Sequence, residues 1–233
     1  MDAREARKYI IKTLKATKRE GIEDLLLYME DLGFFEAPAS GGNHLCCDGG
    51  LCVHTANVMQ MAEKLGKIFF GVKFPDVRNS LRIAAGLHDL GKCGREGHPY
   101  YVENLVKDGR PSKAEPEQKW KRSESKPFEI SKELCYIDHP LRSVELATRY
   151  IDLTEDELHA IYYHDALYSS MAYWLKGHER PLQTCLHYAD FWCSQFEEEK
   201  TLPKTEPAPV QEETLPESST KEAVDDDDEL PFA

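Results

Sequence analysis

Long apolar runs are missing from this chain. None approaches the roughly 20 residues that cross a bilayer, and the opening MDAREARKYIIKTLK lacks the apolar core of a secretory signal. These two absences predict a cytoplasmic protein with no membrane partner. Disulfide staples are not expected either. The seven cysteines are odd in number and spread over 233 residues, a length that supports its own core. Cys46, Cys47 and Cys52 crowd together, but no second CxxC or CxxH pair completes a tetrahedral zinc site, so they read as buried or incidental thiols. There are no internal repeats and no convincing run of alternating strand residues. The body of the chain is also short of net charge: thirteen acidic and three basic residues between Glu197 and Ala233 account for ten of the thirteen net negative charges. A near-neutral body neither excludes nor demands a nucleic-acid partner, whereas the tail repels phosphate backbones and suits a basic protein surface.

What is present is helical periodicity. Ile10, Ile11 and Leu14, then Ile22, Leu25, Leu26 and Met29, predict two short packing helices within residues 1–44. Ala37 to Gly50 reads as loop, and Leu51 to Phe70 as a helix with Val53, Val58, Met61, Ala62 and Leu65 on one face. Pro75 and Asp76 open another helix, for which Gly91 is the stop signal. Helical spacing resumes from His139 to Ile151, from Thr154 with a Glu157 capping box to about His164, and from about Leu182 to Phe196. Between them, residues 94–135 are broken by Pro99, Gly109, Pro111, Pro116 and Pro127. That stretch carries Lys107, Arg110, Lys113, Lys119, Lys121, Arg122 and Lys126, so it reads as a loop-rich basic insertion. The expectation is an all-α helical bundle over residues 45–198, with residues 199–233 a disordered acidic tail.

Five elements fall at or near these helices: His54, His88-Asp89, His139, His164 and Asp190. Imidazole and carboxylate hold catalytic divalent metals while leaving positions open for water. Successive residues on a helix point about 100° apart, so His88 and Asp89 can share an ion only where a helix end loosens the geometry. On this reading His54, His88, Asp89 and Asp190 hold one metal, and Asp89, His139 and His164 a second, with Asp89 as the bridge and a hydroxide between the ions as nucleophile. The donor set suits one or two ions of manganese, iron, cobalt or zinc. Lys92 and Arg142 are placed to neutralise phosphate oxygens, and with Asp89 they complete the candidate catalytic residues. His187, three residues before Asp190, is a candidate to orient a ligand, while Asp165 reads as a supporting or surface residue. His44, His98, His159 and His178 stay unassigned. Tyr162, Tyr163, Tyr168, Tyr173 and Trp174 read as core and rim rather than as a base-stacking platform.

GGLCVH at 49–54, HDLGK at 88–92, HPLRS at 139–143 and LHYAD at 186–190 together resemble the HD-domain metal-dependent phosphohydrolase superfamily, over about residues 45–198. The resemblance implies metal ligation by His54, His88, Asp89 and Asp190. His139 and His164 look like the extra ligands of two-metal members, including bacterial HD-type 3'-to-5' exoribonucleases. Those carry a nucleic-acid-binding domain, and no strand-rich segment of that kind precedes residue 45. Small stand-alone bacterial or phage HD proteins are closer in size and organisation. At the other end, DDDDELPFA resembles the acidic tip of bacterial single-stranded-DNA-binding proteins, although here Ala233 follows Phe232.

The leading expectation is a phosphohydrolase, a phosphomonoesterase or phosphodiesterase, acting on a nucleotide or short oligonucleotide. In it the basic insertion holds the phosphates of a phosphorylated small molecule or short nucleic acid. The alternatives are a single-strand 3'-to-5' exonuclease, and a non-enzymatic adaptor that recruits a DNA-processing protein through Asp225 to Phe232.

Overall fold

The computed structural model of the chain describes residues 1–111 and 117–198. The expected disordered tail and its Asp225 to Phe232 tip lie outside the described residues, as does Lys113. The chain opens with α1 (Ala3–Lys15), whose N-terminus is held by a capping box. Asp2 Oδ1 accepts from the Glu5 amide at 2.8 Å, and the Glu5 carboxylate accepts from the Asp2 amide at 3.3 Å. Such a cap is worth about 1 kcal/mol. Ala6, Ile10, Thr13 and Leu14 recur at helical spacing and are buried, so α1 is held mainly by its apolar stripe. After α2 (Ile22–Asp31) comes α3 (Gly50–Phe70), which packs against α1, against α4 (Phe74–Leu87) and against α8 (Pro181–Trp192). Its neighbours on three sides explain why Leu51, Ala56, Val58 and Ala62 are all buried. Two further helices, α5 (His139–Ala147) and α6 (Glu155–Tyr162), complete the layer around the core, with a short α7 (Ala172–Leu175) outside it. Ile10, Leu25, Leu51, Leu87, Leu146, Ile161 and Leu186 belong to one hydrophobic cluster, so the first two helices share the core of the rest.

The expected Thr154–Glu157 capping box is present: Thr154 Oγ1 accepts from the Glu157 amide and Glu157 from the Thr154 amide. Glu157 is fully buried and also receives both guanidinium nitrogens of Arg19, at 2.9 and 2.6 Å. The segment thus ties α6 to the turn after α1.

The all-α expectation needs correcting. The structure is 55% helical and 9% strand, and the strands fall in the segment read as a loop-rich insertion. There β1 (Gly94–Arg95) pairs with β2 (His98–Pro99), β3 (Tyr101–Glu103) with β6 (Phe128–Ile130), and β4 (Leu105–Lys107) with β5 (Trp120–Arg122), all antiparallel. These ladders are two or three residues long, too short for alternation to register as a pattern. Part of the insertion's positive charge is paired locally. Lys121 faces Asp108 and Glu124, Arg122 meets Glu103, and Lys132 meets Glu129. Among the described residues, no helix is long and apolar enough to cross a membrane.

Candidate metal centre

The six expected residues are brought to one point by a few local devices. His54 lies in the first turns of α3, which starts at a glycine pair. Gly49 takes a positive φ of 75°, and a Cβ on Gly50 would lie 2.0 Å from the Leu45 carbonyl oxygen. Only glycine lets the preceding loop cross so closely over the helix start. α4 ends at Leu87, and Asp89, at φ −105° and ψ 9°, is already out of the helix. This break brings the Asp89 carboxylate to within 3.4 Å of its neighbour's Nε2 in His88. The next turn is packed under α5. A Cβ on Gly91 would lie 2.1 Å from the His139 carbonyl oxygen, and the Gly91 amide donates to Ser143 Oγ at 2.8 Å. Ser143 Oγ stands 2.7 Å from the His88 carbonyl and 2.9 Å from that of His139, joining the two ligand-bearing backbones.

At the centre stands the buried Asp89 carboxylate. Its Oδ2 faces His54 Nε2 at 3.3 Å and His88 Nε2 at 3.4 Å, while its Oδ1 faces His139 Nε2 at 3.2 Å and His164 Nε2 at 3.5 Å. Asp190, from α8, brings Oδ1 to 3.2 Å from His54 Nε2. One carboxylate therefore separates two imidazole pairs.

The outer nitrogens define what the inner ones present. His88 Nδ1 is 2.8 Å from the Ala85 carbonyl and His164 Nδ1 is 2.8 Å from that of Ile161; a carbonyl only accepts, so each Nδ1 carries hydrogen. His54 Nδ1 contacts the Glu198 carboxylate at 3.0 and 3.1 Å. Hence the Nε2 atoms of His54, His88 and His164 face inward, with Nε2 to Nε2 distances of 3.3 Å between His54 and His88 and 3.4 Å between His139 and His164. Two imidazole nitrogens at such distances repel unless a proton or a metal cation lies between them. Asp89 Oδ1, buried, forms no hydrogen bond. With Asp89, Asp165, Asp190 and Glu198 set against Lys92, the donor set fits divalent cations.

The titration of these groups follows the same charges. Burial would lower His54, but Glu198, then Asp190 and Asp89, outweigh it and hold the imidazole well above its ordinary range. His164, buried too, is raised to about 9 by Asp89 and Asp165. Burial pulls His139 down. Asp89 stays ionised despite burial because Lys92 and His88, then His139 and His164, surround it.

Three residues were not assigned to the centre from sequence. Glu198 accepts from His54 and, at 3.2 Å, from Asn57 Nδ2. His44 stands 3.6 Å from Glu198, and burial and then His54 push it down to about 4. Asp165, expected to be supporting or superficial, places Oδ2 3.8 Å from His139 Nε2 and joins His139 and His164 in a set of potential ligands. His187 reaches the site through the backbone, its Nδ1 2.7 Å from the His164 carbonyl. Among the described residues, no such set includes a cysteine.

Lys92 and Arg142 differ. Lys92 Nζ lies 2.6 Å from Asp89 Oδ2 with its side chain 13% exposed. Arg142 is buried, donates to the Cys135 carbonyl at 3.4 Å and leaves Nε without a partner. Neither is a solvated surface charge, and only Lys92 touches the cluster. Comparison of the chain with protein-family models, with curated proteins and with solved structures gives no match.

Proposed function

We propose that this chain is an HD-type metal-dependent phosphohydrolase that cleaves a phosphoester bond in a nucleotide or short oligonucleotide. The observation that carries the reading is the two-sided Asp89 carboxylate, with one oxygen toward His54 and His88 and the other toward His139 and His164. His54, His88, Asp89 and Asp190 would hold one ion, and Asp89, His139 and His164, with Asp165 in reach, the other. Bound there, divalent ions supply Lewis acidity toward phosphoryl oxygens and a low-pKa water. The protein's own part is placement. Glu198 and the Ala85 and Ile161 carbonyls fix the imidazoles, which spares reorganisation when charge develops. Lys92, ion-paired to Asp89, balances part of the charge on that bridge and stands beside any phosphate reaching it.

The local ion pairs of the insertion weaken the case for a long single-strand track, so a nucleotide or short oligomer is favoured over processive exonuclease action. The test is turnover. Purified chain supplied with manganese, cobalt or nickel is assayed against nucleotides, cyclic dinucleotides and oligonucleotides, beside His88→Ala. Metal-dependent hydrolysis that the substitution abolishes is expected; absence of any such turnover overturns the reading.

A further inference from the structure

A cavity of about 690 Å³ is walled by Asp138, His159, Tyr162, Tyr163, Trp174 and His178. That size suits a small organic ligand. Two of its walls are chain neighbours of the cluster, since Asp138 precedes His139 and Tyr163 precedes His164. Its lining combines ring faces with polar edges. Tyr162 and Tyr163 stand nearly perpendicular at 4.8 Å between centroids, and the His159 ring lies 4.9 Å from Tyr163. Trp174 is 68% exposed and meets Tyr173 edge-on at 86°, and among the described residues no ring stacks on its face. An indole left open beside a cavity is an unfilled stacking surface. Asp138 accepts from the Tyr136 hydroxyl through Oδ1 and so keeps its second oxygen for another donor.

We propose that this cavity receives the base of a nucleotide whose phosphate lies at the Asp89 cluster, the base stacking on Trp174 with its polar edge toward Asp138, His159 and His178. The proposal rests on the phosphohydrolase reading and names the feature of the substrate that reading leaves open. A lipid chain would bring no polar partner to the edge formed by Asp138, His159 and His178, and a bare sugar phosphate would leave Trp174 uncovered. The same chemistry comes from a free nucleotide or from the terminal nucleotide of an oligomer.

Binding and turnover are measured separately. Replacing Trp120 and Trp192, both exposed, by Phe leaves Trp174 the only indole of the chain's three. Nucleoside monophosphates are expected to quench its fluorescence saturably, and ribose 5-phosphate is not. In the otherwise native chain, Trp174→Ala should reduce the kcat/KM preference for a nucleotide ester over its abasic counterpart by about 5–150-fold, and Trp174→Phe should restore most of it. A larger preference for di- and pentanucleotides than for mononucleotides assigns the base to a chain end, and the reverse to a free nucleotide. Quenching without hydrolysis of any ester upholds the cavity and removes the phosphohydrolase reading. Hydrolysis with equal treatment of nucleotide and abasic esters, unmoved by Trp174→Ala, overturns the cavity and leaves the cluster reading intact.

Discussion

Replacing Glu198 by glutamine removes one negative charge behind His54 while keeping the length of the side chain. Glu198 is 7% exposed and its two oxygens lie 3.1 and 3.0 Å from His54 Nδ1, with Asn57 Nδ2 3.2 Å from the first. A carboxylate in that position sets the tautomer, aims the ring and makes Nε2 a better donor. Losing such support costs about 10–100-fold in metal affinity, or roughly 1.4–2.7 kcal/mol. Proton competition acts in the opposite direction. Burial lowers His54, and Glu198 is the first of the charges that raise it well above its ordinary range. Metal must therefore displace a proton from the native chain over a wide span of pH, and apparent affinity falls as pH drops below that raised value. In Glu198→Gln the imidazole loses its proton more readily, so its affinity begins to fall only at lower pH. The two chains should differ most at alkaline pH and converge on acidification. Titration with manganese or cobalt against a competing chelator, from about pH 6 to about pH 9, measures this. Native affinity for Glu198→Gln throughout, or a deficit that widens as pH falls, refutes the role given to Glu198.

Two further substitutions test the packing that delivers the ligands. Gly91→Ala sets a Cβ 2.1 Å from the His139 carbonyl and 2.9 Å from Arg142 Cβ, so α5 must shift. A loss of about 1–3 kcal/mol is expected in urea unfolding, with weaker metal binding on the His139 side; an unchanged midpoint contradicts the close contact. Glu157→Gln keeps an acceptor for the Thr154 amide but leaves Arg19 without its carboxylate. Breaking a buried pair costs about 3–5 kcal/mol; because Arg19 is 23% exposed, water recovers part of this and roughly 1–3 kcal/mol is expected. A change below about 0.5 kcal/mol in the same assay would show that the pair contributes little.

The helices were legible where an apolar stripe ran long enough to define a period. Leu51 to Phe70 emerges as α3 nearly to the residue, and His139 to Ile151 as an α5 that stops at Ala147. The strands were not, because Tyr101–Glu103 and Phe128–Ile130 pair across some 25 residues, and their partnership rests on contacts that no local pattern records. Asp108-Gly109 after Leu105–Lys107 does not act as a two-residue hairpin turn, because Lys107 pairs with Trp120 and the Asp108 amide still donates to the Lys119 carbonyl. In the cluster, the structure brings together His54, His88, Asp89, His139, His164 and Asp190, which the sequence singled out by their donor types at or near apolar helices and by the resemblance of the motifs around them to the HD superfamily. Glu198 escaped for the opposite reason. It is the middle of three consecutive glutamates leading into an acidic tail, where one buried carboxylate looks like its solvated neighbours.

Asp165 shows how a local device can be hidden by the lack of a motif around it. His164-Asp165 repeats the backbone of His88-Asp89: a helix ends, the histidine Nδ1 meets the carbonyl three residues back at 2.8 Å, and a 3-10 turn follows. The two aspartates have φ and ψ of −105° and 9°, and of −108° and 8°. The shared conformation turns each carboxylate toward the imidazole cluster, since a residue that has just left the helix no longer points about 100° away from its predecessor. What differs is the sequel. Leu90-Gly91-Lys92 lets α5 close over the first turn, whereas Ala166-Leu167-Tyr168 leaves the second more open, with Leu167 and Tyr168 exposed. Asp89 is consequently sealed between both histidine pairs, while Asp165, its side chain 31% exposed, stands on the outer side of His139. The same turn thus yields a buried bridge in one place and an accessible carboxylate in the other, and the glycine at position 91 is what separates them.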